Sequence, residues 1–325
     1  MEEILRIFPP NLKKKIIQSL SNRWTSIQEI RVRIGRPIEL IYDNQEEWIS
    51  TFIPSEGDGQ FILNQLSEFS LYRLEDELRE GYITIEGGHR VGLAGKVNTT
   101  NGSVKAIKHI SSFNIRIAKE KVGVSSQYIP YLYNNGYLST LIIGPPKTGK
   151  TTILRDLTRL ISSGWGSVKP LKVGVVDERS EIGGCVKGVP QHQLGIRTDI
   201  LDACPKAEGL MMMIRSMSPD VLVVDEIGSV EDVNALMEGL HAGVKIICSV
   251  HAESLSELKK RPSLMPLLEY NAFHRFITLE KHNKPGRVNG IFNEKEQNIL
   301  KKLRCAKNEM DRGTSIIKRH HLGGV

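Results

Sequence analysis

Gly144-Pro-Pro-Lys-Thr-Gly-Lys-Thr151 restricts what this chain can become more than any other stretch. Two glycines with four residues between them, followed by Lys and a hydroxyl residue, form the phosphate-binding loop pattern. The pattern requires a strand before it and a helix after it, and both are legible. Leu138 to Ile143 is a short apolar run, and beyond the loop Ile153, Leu154, Leu157, Leu160 and Ile161 recur at helical spacing. Glycine lets the backbone curl so that amide groups and a helix N-terminus converge on a phosphate, which a side chain at Gly149 would obstruct. Pro145, Pro146, Lys147, Thr148 and Thr152 complete the expected cradle. Lys150 is expected to reach the β- and γ-phosphates, and Thr151 to hold Mg²⁺.

Hydrolysis needs a second element. Val221-Leu-Val-Val224 is continuously apolar, as a strand buried on both faces of a parallel sheet must be, and it ends in Asp225-Glu226. The first carboxylate suits a Mg²⁺ shell and the second a water-polarising role, the alternative being that both cap the next helix. Leu171 to Val176 is another such strand, ending in Asp177-Glu178-Arg-Ser-Glu181. Strands of a parallel sheet gather their carboxyl ends at one edge, which brings this second acidic cluster toward the nucleotide. Val244 to Val250 ends at His251, either a sensor of the γ-phosphate or a hydrogen-bonded structural residue.

Ahead of this α/β nucleotide-binding domain the pattern is α+β. A helix over Asn11 to Leu20 turns Leu12, Ile16, Ile17 and Leu20 to one side. Strands follow at Ile27 to Ile34 and Pro37 to Tyr42, and a helix over Asn64 to Arg79. Tyr82 to Glu86 and His89 to Val97 form a hairpin, with more strand near Val104 to Ile107 and Phe113 to Ile117. Arg90 and Arg116 project opposite the core, either as solvated residues or as phosphate contacts. Gly, Pro and Asn accumulate after Ala118, so the expected organisation is a domain over 1–122, a linker over 123–136, the nucleotide domain over 137–310 and a basic flexible tail over 311–325. Gly183 to Asp202 reads as one long loop containing Arg197, of the kind that is usually functional or mobile. Ala207 to Met217 and Glu231 to His241 read as helices, and Phe276 to Leu279 with Arg287 to Phe292 as a closing hairpin turning at Lys284 to Gly286.

The formal charge of +7 favours an anionic partner: nucleotide, nucleic acid or membrane surface. The four cysteines are spaced too widely for a zinc site or a redox pair, which points to reduced thiols and a cytosolic compartment. The acidic start does not read as a signal peptide, and no apolar run approaches the ~18 residues a membrane span needs.

Taken together, the phosphate loop, Asp177 to Glu181, Met213 to Glu226 and Cys248-Ser-Val-His-Ala252 resemble the type II and type IV secretion (pilus) ATPases, and within them a branch from endospore-forming bacteria. The resemblance implies an N-terminal sensor-like domain joined to a RecA-like motor domain, working on ATP with Mg²⁺ as a homo-hexamer. Its implied role is to power a secretion-like channel, or the assembly of one, from the mother-cell side, with membrane-embedded channel components as partners. On that pattern Asp177, Glu178 and Glu181 match the acidic box, with Glu178 or Glu181 competing with Glu226 to activate water. His251 matches the second histidine of the histidine box, and Arg215 an arginine just before the Walker B strand. Arg90 and Arg116 lie where the first domain supplies arginines. The first histidine of the box is replaced by Val244, and Asp225-Glu226 stands where many pilus motors have Gly-Glu. A nucleic-acid translocase and a nucleotide-gated assembly scaffold are the other classes that fit. A GTPase does not fit, since Asn283-Lys-Pro-Gly286 lacks the acid of a guanine-reading motif, and no Leu-Ser-Gly-Gly run suggests an ABC ATPase.

Overall fold

Two compact units make up the structure, a computed structural model that describes residues 2–43, 45–67, 81–100, 103–281 and 286–300. The first unit comprises residues 1–120 together with 184–192, and the second residues 121–183 and 193–325.

The first unit is built on alternation. In β1 (Ile27–Arg33) the side chains of Ile30 and Val32 are buried and those of Arg31 and Arg33 are half-exposed, as a sheet with one solvated face requires. Around it β2 (Ile38–Tyr42), β3 (Glu46–Ile49), β4 (Tyr82–Ile85), β5 (His89–Thr100) and β6 (Ser103–Arg116) form a six-stranded antiparallel sheet in the order β3-β2-β1-β6-β5-β4. Among the described residues its helices are α1 (Glu2–Leu5), α2 (Pro10–Leu20) and α3 (Glu56–Leu66). Leu12, Ile16 and Leu20 of α2 are buried as expected, whereas Ile17 is 41% exposed, because the step of about 100° from Ile16 carries it off the packed stripe.

Three other expectations change. Most of α3, which opens on a reciprocal capping box of Ser55 and Asp58, was not anticipated; it ends at Leu66, so only the first three residues of the helix expected over Asn64 to Arg79 fall in it, and 68–79 lies outside the described residues. β3 was not anticipated. The two short strand segments near Val104 and Phe113 are one strand, β6, which keeps its pairing with β5 across several register shifts; at one of them Gly95 lies against the His109 carbonyl, where a Cβ would come within 2.4 Å.

The second unit is layered. β7 (Thr140–Gly144), β8 (Val173–Asp177), β9 (Thr198–Asp202), β10 (Val221–Val224), β11 (Lys245–His251), β12 (Arg275–Leu279) and β13 (Val288–Asn293) form one sheet in the order β13-β12-β7-β11-β10-β8-β9. All neighbouring pairs are parallel except β12 with β13. Helices α4 (Lys150–Ser163), α5 (Lys206–Met217), α6 (Val230–His241), α7 (Leu255–Leu258) and α8 (Met265–Glu269) cover the faces. The continuous apolar runs follow from this double cover. Alternate residues of one strand serve opposite cores, so that Ile142, Val223 and Ile247 pack with Leu154 and Leu157 of α4, while Ile143, Val224 and Cys248 pack with Leu210 and Leu236 of α5 and α6.

The 123–136 stretch packs into the second unit through Tyr128, Ile129 and Leu132. The stretch from Gly183 to Asp202 is not one loop: its middle belongs to the first unit, where the Gly87 amide donates to Gln191 Oε1 at 3.1 Å, and its end is the edge strand β9. The expected turn at Lys284 falls partly, and the basic tail wholly, outside the described residues.

Candidate active site

Sheet register assembles the site. Gly144 ends β7 opposite His251 of β11, and Val224 of β10 pairs with Cys248 on one side and Val176 on the other. The turns after β7, β8, β10 and β11 therefore leave one edge of the sheet side by side, although their residues are as far apart in the chain as Gly144 and His251.

The loop after β7 is shaped by close packing. A Cβ on Gly144 would lie 2.7 Å from Thr148 Oγ1, whose hydroxyl donates to the Pro145 carbonyl at 2.8 Å. Lys147 (φ 61°) and Gly149 (φ 93°) both adopt left-handed backbone, which folds the loop over the start of α4. No side chain caps that helix, so its first amides are left for an anion, and its apolar face, Ile153, Leu154, Leu157 and Ile161, is fully buried and holds it in place.

Facing the loop, Thr151 Oγ1 donates to Asp225 Oδ2 at 2.5 Å, and Ser249 of β11 donates to Asp225 Oδ1 while accepting the Glu226 amide at 3.0 Å. Burial raises the pKa of Asp225; the hydrogen bonds from Ser249 and Thr151 pull it back, and the nearby Glu226 and Glu181 carboxylates push it up. Glu226 has left-handed backbone (φ 51°), and its carboxylate lies 3.6 Å from Lys150 Nζ through one oxygen and 3.2 Å from Arg179 Nη1 through the other. Lys150 is only 4% exposed and donates to the Pro145 carbonyl at 3.1 Å.

The acidic turn after β8 divides its labour. Asp177 is buried and structural: its carboxylate accepts the amides of Glu181, Ile182 and Gly183, each at 2.8 Å. Glu178 is held by Lys206 Nζ at 2.6 Å. The Glu181 carbonyl accepts from Arg155 of α4, which ties the turn to the phosphate-loop helix. Asp177, Glu178, Arg179, Glu181, Lys206, Asp225 and Glu226 line one cleft.

A hydroxyl and a carboxylate oxygen in direct contact, beside an uncapped helix N-terminus and a buried lysine, match what a magnesium–polyphosphate requires: hard oxygen donors few enough to leave room for phosphate oxygens and water. Among the described residues no cluster of three or more His, Cys, Asp or Glu side chains forms an all-protein metal cage.

The other expected residues are distributed as follows. His251 is exposed at the mouth of the loop. Arg215 lies in the last turn of α5, about 14 Å along the helix from Lys206 and toward the opposite sheet edge, so it does not join the other site residues within this chain. Arg197 is braced away from the site by the Pro170 carbonyl at 2.8 Å. Arg90 and Arg116 are cross-strand partners in the first unit, Arg90 stacked on Tyr82 and Arg116 3.9 Å from Glu29. Sequence reasoning missed Ser249, Lys206 and Arg179 as members of the site. Only the register between β8, β10 and β11 brings them in, though Arg179 stands out as a cation inside an acidic run.

A family model described as "Sporulation stage III, protein AA" matches residues 1–299. A "Stage III sporulation protein AA" from Bacillus subtilis (strain 168) is 54% identical over 300 residues, which cover 92% of this chain and 97% of the relative. Among solved structures, the ATPase DotB of Yersinia pseudotuberculosis superposes with a TM-score of 0.57 at 13% identity, covering 94% of this chain and 84% of DotB. The pilus retraction motor PilT, solved with bound ADP, gives 0.56 at 14% identity, covering 94% and 88%. These two likenesses establish the fold, that of the RecA-like secretion ATPases.

Proposed function

The chain belongs to the sporulation stage III, protein AA family, and from that premise we propose that it is an ATP-hydrolysing ring motor of the secretion-ATPase type, powering a secretion-like channel or its assembly during endospore formation. The observation that carries the reading is the convergence of Thr151, Asp225 and Ser249 with Lys150 and Glu226 at one sheet edge. Lys150 draws on the β- and γ-phosphates, the amides at the start of α4 cradle them, and Thr151 with Asp225 holds Mg²⁺. Bound there, the cation offsets charge on the phosphate oxygens. Glu226 is the acid that orients and polarises water. Of the two competing acids, Glu178 is held by Lys206, which leaves Glu181, in the lining of the same cleft, as the alternative to Glu226.

The active species is a homo-hexamer that docks on membrane-embedded channel components from the mother-cell side. No described helix is long and apolar enough to cross a membrane. Arg90, Arg116 and His251 complete the nucleotide site in the assembled ring, and Arg215, placed at the far edge of its own sheet, acts on a neighbouring copy. Nucleic acid, which the charge of +7 permits, is the less favoured partner.

Phosphate release by the purified chain in Mg²⁺ and ATP tests the core of this. Lys150→Ala and Glu226→Gln are each expected to lower turnover on the order of 10²-fold or more. Wild-type turnover in both variants would remove the assignment.

A further inference from the structure

Arg179 is a cation that meets the far side of the Glu226 carboxylate from Lys150. Its position is not left to chance. The turn that bears it is pinned on one side by the three amides on Asp177 and on the other by Ser180, whose backbone is left-handed (φ 53°) and whose hydroxyl donates to Asp202 Oδ1 at 2.7 Å. Opposite, the left-handed backbone of Glu226 and the bond from its amide to Ser249 direct that side chain across the cleft between β10 and β8. The carboxylate thus has a cation on each oxygen. Lys150 is buried, whereas the Arg179 side chain is 66% exposed.

The asymmetry has a chemical consequence. An incoming polyphosphate needs Lys150, and Lys150 is held by the Pro145 carbonyl and by Glu226. When the lysine turns to phosphate, Glu226 would face new negative charge with no cation of its own unless a second one stays with it. We propose that Arg179 is a positioning residue: it retains Glu226 on the β8 side of the cleft, frees Lys150 for phosphate and keeps the carboxylate available to a water. The proposal rests on reading the cleft as a nucleotide site, and it separates Arg179 from residues that touch phosphate themselves, because its effect must pass through Glu226.

A double-mutant cycle read by equilibrium binding of radiolabelled ATP with Mg²⁺ to the full chain tests this, with melting curves to confirm that each variant is folded. Arg179→Ala is expected to weaken binding about three- to five-fold, the scale of a partly exposed charge pair, with most of the loss recovered in Arg179→Lys. In a Glu226→Gln background the same replacement is expected to change nothing. Equal weakening in both backgrounds would overturn the proposal by showing that Arg179 acts on the nucleotide or on folding, and so would an Arg179→Ala variant that binds as wild type while Lys150→Ala does not. If wild type binds no ATP, or Lys150→Ala binds as tightly as wild type, the nucleotide-site reading itself falls, and this proposal with it.

Discussion

Single side chains at the sheet edge do several jobs at once, and their loss should show in more than one measurement. The fully buried Ser249 hydroxyl serves both Asp225 and the Glu226 amide. Ser249→Ala leaves a part-buried amide without its acceptor and Asp225 short of a donor. We expect unfolding free energy in urea to fall by about 1–3 kcal/mol, with turnover falling as well; unchanged stability would mean that water replaces the hydroxyl. Asp177 gives a pH signature. Burial, opposed by its three amides and reinforced by Asp202, raises its pKa to about 6. The folded chain therefore holds this proton more tightly than the unfolded chain does, so the contribution is fully present below about pH 4 and is lost as pH rises through about 6. Relative to Asp177→Asn, wild type should lose about 2–3 kcal/mol between pH 4 and pH 7, as measured by urea denaturation at each pH. A difference that stays flat would show that Asp177 titrates normally. At this scale the phosphate loop and Asp225-Glu226 were legible, because contiguous residues announce them. Arg179 with Glu226, 47 positions apart, was not, because no local pattern encodes which strands become neighbours.

Elements were legible where burial imposes a rhythm and illegible where it does not. The doubly covered strands β7, β8, β10 and β11 stand out as largely apolar runs. β9 sits at an edge with mixed burial and reads Thr-Asp-Ile-Leu-Asp, which resembles loop as much as strand, and β3 is four residues with two acids. The start of α3 was obscured by Gly57 and Gly59 within two turns of its cap. The contact of α5 with β8 deserves a test of its own, because glycines on both sides permit it. A Cβ on Gly174 would come 2.5 Å from Met213 Cγ, and one on Gly209 2.6 Å from Val176 Cγ1. Gly209→Val should force the helix outward, lowering stability by about 1–3 kcal/mol in thermal or urea unfolding. It should also loosen the Lys206–Glu178 pair at the head of the same helix. A neutral result would mean that the helix can shift without cost.

At the scale of the molecule, a ring whose sites are finished between copies has a kinetic signature: turnover per subunit should rise with protein concentration in step with mass measured by light scattering. A constant rate from a species of monomer mass would count against the ring. The chain passes between its two units at three places, after residues 120, 183 and 192. Residues 184–192 leave the second unit a few positions beyond the acidic turn and are part of the first, with Gln191 bonded to Gly87 and His192 within about 3 Å of where side chains on Gly88 and Gly184 would begin. For anyone shuffling parts between relatives, the front unit is therefore not a detachable cassette. A chimera that exchanges residues 1–120 alone inherits a mismatched insert, and a faithful graft must exchange the distant nonapeptide with it.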